Sequence, residues 1–166
     1  IFAIHRGDMH DANYVIHDPA ELHRALIDAH TNFQGPRYRE LCNQNEALIH
    51  KHYPAWMVIP YEIKDDDDAI QAYSAAIVNV AAHFAMKGDT RLMDLLNGEG
   101  DDPTQKWDQA FHEFEDLMKK FDFAAARDLL TAVSDEMREL TGPAIDYRIP
   151  YVHERLAWLF FLSGDM

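Results

Sequence analysis

Two Gly-Asp dipeptides, each placed where an apolar helical pattern stops, constrain this chain more than any other feature of its sequence. Gly88-Asp89 follows "VAAHFAMK", and Gly164-Asp165 follows "LAWLFFLS". Glycine can adopt the positive φ that ends a helix, and aspartate can cap the helix that follows. The same dipeptide at two helix ends therefore predicts a helical hairpin that is used more than once.

The residues that precede the two dipeptides also correspond. When the glycines are aligned, the matching pairs are Val80 with Leu156, Ala81 with Ala157, and Phe84 with Phe160. Between them, "FEDLMKKFD" places Leu117 and the turn Phe121-Asp122 in the same frame. A large residue beside a small one lets a second helix approach closely, and the aromatic side chain fills the remaining gap. A single hairpin of this kind cannot bury its apolar face, so stacked neighbours are expected.

This pattern resembles the tetratricopeptide repeat family over roughly residues 70–166, where "FDFAAARDLLTAV" is similar to the second helix of that repeat. The resemblance implies antiparallel helical hairpins stacked as a short α-solenoid, whose concave face binds a protein or peptide. An irregular helical bundle is the alternative architecture. The partner-binding residues that the resemblance implies are Asn79, His83, Lys87, Gln109, His112, His153 and Arg155.

The remaining pattern predicts an all-α chain with seven helices in a single domain, residues 1–166, that begins with an irregular segment, residues 1–17. Asp18-Pro19 is typical of a helix start, and Tyr38 to Tyr53-Pro54 has the apolar spacing of a second helix. Residues 55–63 are expected to form a buried connector. The later helices are expected from residue 67 to 87 after the "DDDD" run, after Gly88-Asp89, from Pro103, after Phe121-Asp122, and after Gly142-Pro143.

Composition narrows the classes of function. With 29 acidic against 15 basic residues, the net charge of −14 disfavours binding to nucleic acid and favours a basic protein partner, as in immunity proteins that neutralise basic toxins. No apolar run has the length of a membrane span. The lone cysteine, Cys42, excludes an intrachain disulfide and is expected to be a buried structural thiol. A reducing, cytoplasmic location follows as an expectation.

A second class of function, a small all-helical metal-dependent hydrolase, rests on the histidines and aspartates near the N-terminus. His17-Asp18 resembles the histidine–aspartate pair of metal phosphohydrolases, although the spacing of the group fits no helix-face metal motif. No phosphate-binding glycine loop and no nucleophile–base signature is present, so no cofactor is predicted and the scaffold function is preferred to an enzyme. The candidate ligands in this alternative are His5, His10, Asp11, His17 and Asp18.

The last predicted helix, "RLAWLFFLSGDM", is apolar on nearly all sides. Such a helix requires a cover, because an exposed apolar surface promotes association. Three covers are open: a further hairpin in a longer repeat chain, a second copy in a homo-oligomer, or the N-terminal segment folded back. The ending resembles the start of a further hairpin, which favours the longer chain.

Overall fold

The computed structural model describes residues 13–163, and every regular element within that range is helical. The elements are α1 (Pro19–Thr31), α2 (Gly35–Gln44), α3 (Glu46–Trp56), a 3₁₀ helix (Tyr61–Ile63), α4 (Asp67–Ala85), α5 (Arg91–Leu96), α6 (Pro103–Lys119), α7 (Phe123–Met137) and α8 (Pro143–Ser163). The all-α fold class predicted from the sequence is therefore confirmed. None of the helices in this range is long and apolar enough to cross a membrane.

Aspartate side chains begin four of these helices. Asp18 caps α1 and Asp66 caps α4, each by accepting a hydrogen bond from a backbone N–H of the first turn. Asp102 and Asp122 do the same for α6 and α7. The first N–H groups of a helix have no partner within it, so these carboxylates supply the missing acceptors. The caps expected at Asp18 and in the "DDDD" run are confirmed.

Four helices end in the same turn, in which one residue takes positive φ. That residue is Gly88 after α4 and Phe121 after α6, with φ of 90° and 57°. The N–H of the next residue then reaches back to the carbonyl oxygen five residues earlier, from Asp89 to Phe84 and from Asp122 to Leu117. Phe33 and Gly98 close α1 and α5 in the same way. The common geometry expected for the turns at 88 and 121 is present, whereas Gly164 lies outside the described residues.

The second predicted helix is wrong in its extent, because the structure divides it at Asn45. The side-chain amide of this buried asparagine donates to the carbonyl oxygens of Leu41 and Tyr14 and accepts from the N–H of Ile16. The Asn45 side chain thereby ties residues 14–16 to the bundle at the point where α2 ends. Gly35 and Pro36 open α2, since proline suits the first turn of a helix.

The connector expected at residues 55–63 begins later than predicted. Pro54 lies inside α3, which continues to Trp56, and both residues are buried. The segment from residue 57 to 60 is half-buried, and the 3₁₀ helix follows it. A proline near the end of a helix removes a single hydrogen bond, and the burial of Trp56 stabilises the additional turn.

α3 is the central helix of the bundle. It contacts α1, α2, α5, α6 and α8, and its buried side chains include Ile49, His52, Tyr53 and Trp56. α6, α7 and α8 pack in succession around a smaller apolar cluster, as stacked hairpins do, while α8 also returns to α3. Solenoid stacking of the whole chain therefore stays a prediction beside the irregular bundle.

A close contact joins the end of α3 to the turn before α8. The Trp56 indole N–H donates to the Thr141 carbonyl oxygen at 3.0 Å, and the Thr141 N–H donates to His52 Nδ1 at 3.0 Å. Gly142 lies against the backbone of Ala55 and the ring of Trp56, with no space for a side chain. This contact fixes where α8 begins relative to the centre of the bundle.

We predict that Gly142→Ala destabilises the fold by about 2 kcal/mol, because overpacking a tight contact forces backbone shifts. The added Cβ would lie 2.6 Å from the Ala55 carbonyl oxygen and 2.7 Å from Trp56 Cδ1. Gly35→Ala is the matched control, since its Cβ would meet only the flexible Arg39 side chain at 3.3 Å. Urea denaturation measures both changes. Equal stability of the two variants would contradict the close contact.

We predict opposite effects for two substitutions in the shared turn. Gly88→Val should cost about 1–2 kcal/mol through backbone strain alone, because its Cβ position is free of neighbours within 4 Å. Phe121→Gly should instead gain up to about 1 kcal/mol, since Phe121 holds positive φ while its side chain is 79% exposed. Thermal melts compare the two variants with the parent. A change of the same sign in both would refute the shared conformation.

Candidate functional site

An open groove of about 780 Å³ lies between α1, α4, the 3₁₀ helix and the first turn of α8. We call it the α1–α4 groove. Its lining residues are Ala20, His23, Arg24, Ile27, Asp28, Thr31, Pro60, Glu62, Ile63, Ala69, Ala72, Tyr73, Thr141, Gly142, Pro143 and Asp146. An apolar cavity of this size with a few polar groups has the character of a ligand site.

His23 is held in one tautomer on the α1 side of the groove. Its ring stacks on Trp56 with 5.0 Å between centroids, and its Nε2 lies 2.8 Å from the Tyr73 hydroxyl oxygen. That hydroxyl donates its only proton to the Trp56 carbonyl oxygen at 2.6 Å, so His23 Nε2 must carry a proton and donate. Burial, with a smaller contribution from the Arg24 charge, lowers the pKa of His23 to about 4. His23 is therefore neutral at pH 7 and leaves Nδ1 as an acceptor.

Two carboxylates, Glu62 and Asp146, form the acidic end of the groove. Burial and the neighbouring charge of Glu62 raise the pKa of Asp146 above its usual range. Within residues 13–163 neither carboxylate forms an ion pair. A second cavity of about 310 Å³ continues from this end between Tyr61 and Tyr147. The acidic run at residues 65–68 follows directly, so negative charge is concentrated at this end of the groove.

The other charged groups of the groove lie on α1. Asp28 is already paired with Arg37 at 2.8 Å and accepts a hydrogen bond from Asn32. Arg24 is exposed on the rim. The groove thus offers apolar walls, a neutral imidazole, one rim cation and an acidic end, a set of groups suited to binding an elongated ligand with a cationic part.

Three of the predicted partner-binding residues, Asn79 and His83 on α4 and Lys87 in the turn after it, contact neighbouring helices. Asn79 Nδ2 donates to His30 Nε2 at 2.7 Å. His83 Nε2 donates to Asn43 Oδ1 at 2.9 Å, and Lys87 donates to the same oxygen. Asn79 and Lys87 are exposed and His83 is half-buried. Their polar atoms are already engaged by residues of α1 and α2.

The remaining four predicted residues lie on other helices. Gln109 and His112 are exposed on α6, and His153 is exposed on α8. Arg155 is half-buried, with its guanidinium carbon 4.7 Å from the centre of the Tyr151 ring. No hydrogen bond or ring contact between described residues joins these four to the α4 group. The role of all seven residues in binding stays a prediction.

The metal-ligand set of the alternative function is described only in part. His17 is exposed, and Asp18 uses a carboxylate oxygen to cap α1. His5, His10 and Asp11 lie outside the described residues. The metal hypothesis therefore stays a prediction that rests on the sequence.

A different cluster with metal-binding side chains lies beside the turn at Gly88. Ligand atoms of Glu46, His50 and Asp89 lie within 4.8 Å of one another. Asp89 also binds the Arg91 guanidinium through both carboxylate oxygens, at 2.9 and 2.7 Å. That hydrogen bonding holds the pKa of Asp89 well below its usual range. The Arg91 guanidinium therefore already supplies a positive charge to this cluster.

Cys42 and the end of α8 have contrasting environments. Cys42 is fully buried, as expected, and burial raises the pKa of its thiol to about 12. On α8, Trp158 and Phe161 are 53% and 60% exposed, with 5.8 Å between their ring centroids. Phe160 is also exposed, whereas Leu159 is buried. Pairing of two copies through this helix stays a prediction.

Reasoning from the sequence missed the groove. Glu62 falls in the connector that the sequence predicts at residues 55–63, and no spacing in the sequence relates it to Asp146. The available signal was local: the acidic character of residues 62–68 exceeds what one helix cap requires. Only the fold brings that segment beside the first turn of α8.

We predict that lowering the pH from 8 to 5 destabilises the parent more than His23→Gln. Between pH 6.5 and the folded pKa of about 4, the unfolded chain binds a proton at His23 that the folded chain does not. The contribution of His23 to the free energy of unfolding therefore decreases as the pH is lowered, by about 2 kcal/mol between pH 8 and pH 5. Glutamine can still donate to Tyr73 but does not titrate, and other histidines contribute equally to both proteins. Urea denaturation at pH 8, 6.5 and 5 measures the difference; parallel curves would contradict the buried neutral imidazole.

Comparison with protein-family models, with curated proteins and with solved structures finds no match for this chain. The resemblance to tetratricopeptide repeats therefore stays a prediction from the residues around the turns at 88, 121 and 164. The candidate site is accordingly argued from its own geometry.

Proposed function

We propose that this chain is a protein–protein interaction module that binds a segment of another polypeptide in the α1–α4 groove. The observation that supports the proposal is the groove itself, which is open, about 780 Å³ in volume and mainly apolar, with a few polar groups along it. Polypeptide segments bind in such grooves through side chains that lie on apolar walls. Neutralisation of a basic toxin is one function of this kind that suits an acidic chain.

The groups at the floor of the groove support a binding mode in which the helical bundle stays closed. The Tyr73 hydroxyl and the Trp56 carbonyl oxygen are hydrogen-bonded to each other, and His23 stacks on the Trp56 ring. These groups belong to the central core and cannot move without disturbing it. A preformed groove binds with little loss of conformational entropy, which favours affinity.

We predict that a side chain placed in the groove abolishes peptide binding. Ala72 lines the groove on α4, so Ala72→Phe should weaken binding of peptides selected from a random displayed library at least tenfold. Ala124→Phe, on the exposed face of α7, is the matched control and should leave binding unchanged. Fluorescence anisotropy measures affinity, and thermal melts confirm that both variants fold. Selected peptides that bind all three proteins equally would remove the groove from the proposal.

A further inference from the structure

We infer that the acidic end of the α1–α4 groove binds a lysine or arginine side chain of the bound polypeptide, while apolar residues beside it lie on the groove walls. This inference rests on the proposed function and adds its specificity. The features that carry it are the pairing state of the two carboxylates, the shape of the cavity around them and the charge of the neighbouring segment.

Glu62 and Asp146 line the groove and, like many acidic residues of this chain, form no ion pair with a basic residue within residues 13–163. Asp28 is paired with Arg37, Asp89 with Arg91, and Asp101 with Lys106. In the described range Glu62 and Asp146 have no such partner, although each lies in the field of the other. Two like charges held together repel, and a bound cation would relieve that repulsion.

The nearest lysine along the chain is already engaged elsewhere. Lys64 donates to the Tyr61 hydroxyl at 3.0 Å and lies 4.1 Å from the centre of the same ring. It therefore leaves the carboxylates of the acidic end unpaired. Arg24, the cation of the groove rim, makes no ion pair with either carboxylate within residues 13–163.

The cavity at the acidic end suits a long cationic side chain. Tyr61 and Tyr147 wall its smaller branch of about 310 Å³, and the Tyr147 hydroxyl donates to the Ile59 carbonyl oxygen at 3.0 Å, which fixes that ring. Ile63 and Ala69 supply apolar surface next to it in the larger groove. Lysine and arginine combine an apolar stem with a charged head, so the stem can lie on this surface while the head meets the carboxylates.

Charge on the adjoining segment directs a cation to the same end. The acidic run at residues 65–68 follows the 3₁₀ helix and continues into the first residues of α4. The next residue, Ala69, lines the groove. By contrast, the α1 side presents Arg24 and an Asp28 that is already paired. A basic polypeptide is therefore guided in one orientation, with its cation toward α8.

The test pans a random dodecapeptide library on three proteins at 150 mM salt with EDTA present. These are the parent, the double variant Glu62→Gln/Asp146→Asn, and the control Glu115→Gln/Asp116→Asn. The control removes the same charge from the exposed face of α6. We expect peptides enriched in lysine or arginine on the parent and on the control, and loss of that enrichment on the double variant. Equal enrichment on all three would show general attraction to an acidic chain and would overturn the inference.

A selected peptide is then compared with its lysine→glutamine analogue by fluorescence anisotropy. We expect the analogue to bind the parent about tenfold more weakly, since hydrogen bonds to charged groups are worth that much, and to bind parent and double variant alike. Asp146→Asn alone should weaken the lysine peptide without lowering the melting temperature, because it removes a repulsion. Equal binding of both peptides, or binding that appears only with added calcium, would overturn the inference.

The two proposals can fail separately. Peptides that Ala72→Phe displaces but that show no preference for basic residues would overturn the inference about the acidic end and leave the groove as a binding site. Peptides that Ala72→Phe does not displace would overturn the proposed function as well.

Discussion

A hydrogen bond from the Trp56 indole to the Thr141 carbonyl oxygen fixes the end of α3 against the turn before α8. Trp56 and Thr141 are 85 residues apart in sequence, yet their hydrogen bond and the close approach of Gly142 leave one arrangement of the two helices. His52 accepts from the same turn, so both backbone groups of Thr141 are satisfied by α3. Buried polar groups that pair in this way specify one packing, because any other packing would leave them without partners.

Trp56 extends that constraint to the walls of the groove. Its indole holds the start of α8, its ring stacks on His23 of α1, and its carbonyl oxygen accepts from Tyr73 of α4. A single fully buried residue thus sets the relative positions of three groove walls. The position of these walls is therefore a consequence of how the core packs.

Local signals in the sequence predicted much of the helical fold but none of the groove. The caps at Asp18 and Asp66 and the positive φ of Gly88 depend on neighbouring residues alone, so they could be predicted. The break at Asn45 could not, since apolar spacing continues across it and the cause is a contact with residues 14–16. Phe121 takes the conformation that glycine favours because the turn around it demands one. The groove requires distant segments to meet, and no spacing in the sequence records that meeting.

The polar groups at the floor of the groove have hydrogen-bond partners, whereas the carboxylates at its acidic end have no basic partner within residues 13–163. At the floor, the His23–Tyr73–Trp56 chain of hydrogen bonds uses its donors internally and is uncharged at neutral pH. At the end, Glu62 and Asp146 have no basic partner among the described residues, and the charge of Glu62 contributes to the raised pKa of Asp146. Because both unpaired carboxylates lie at one end, the proposed polypeptide ligand would be oriented by electrostatics and held by apolar contact, and the two tasks fall on different residues.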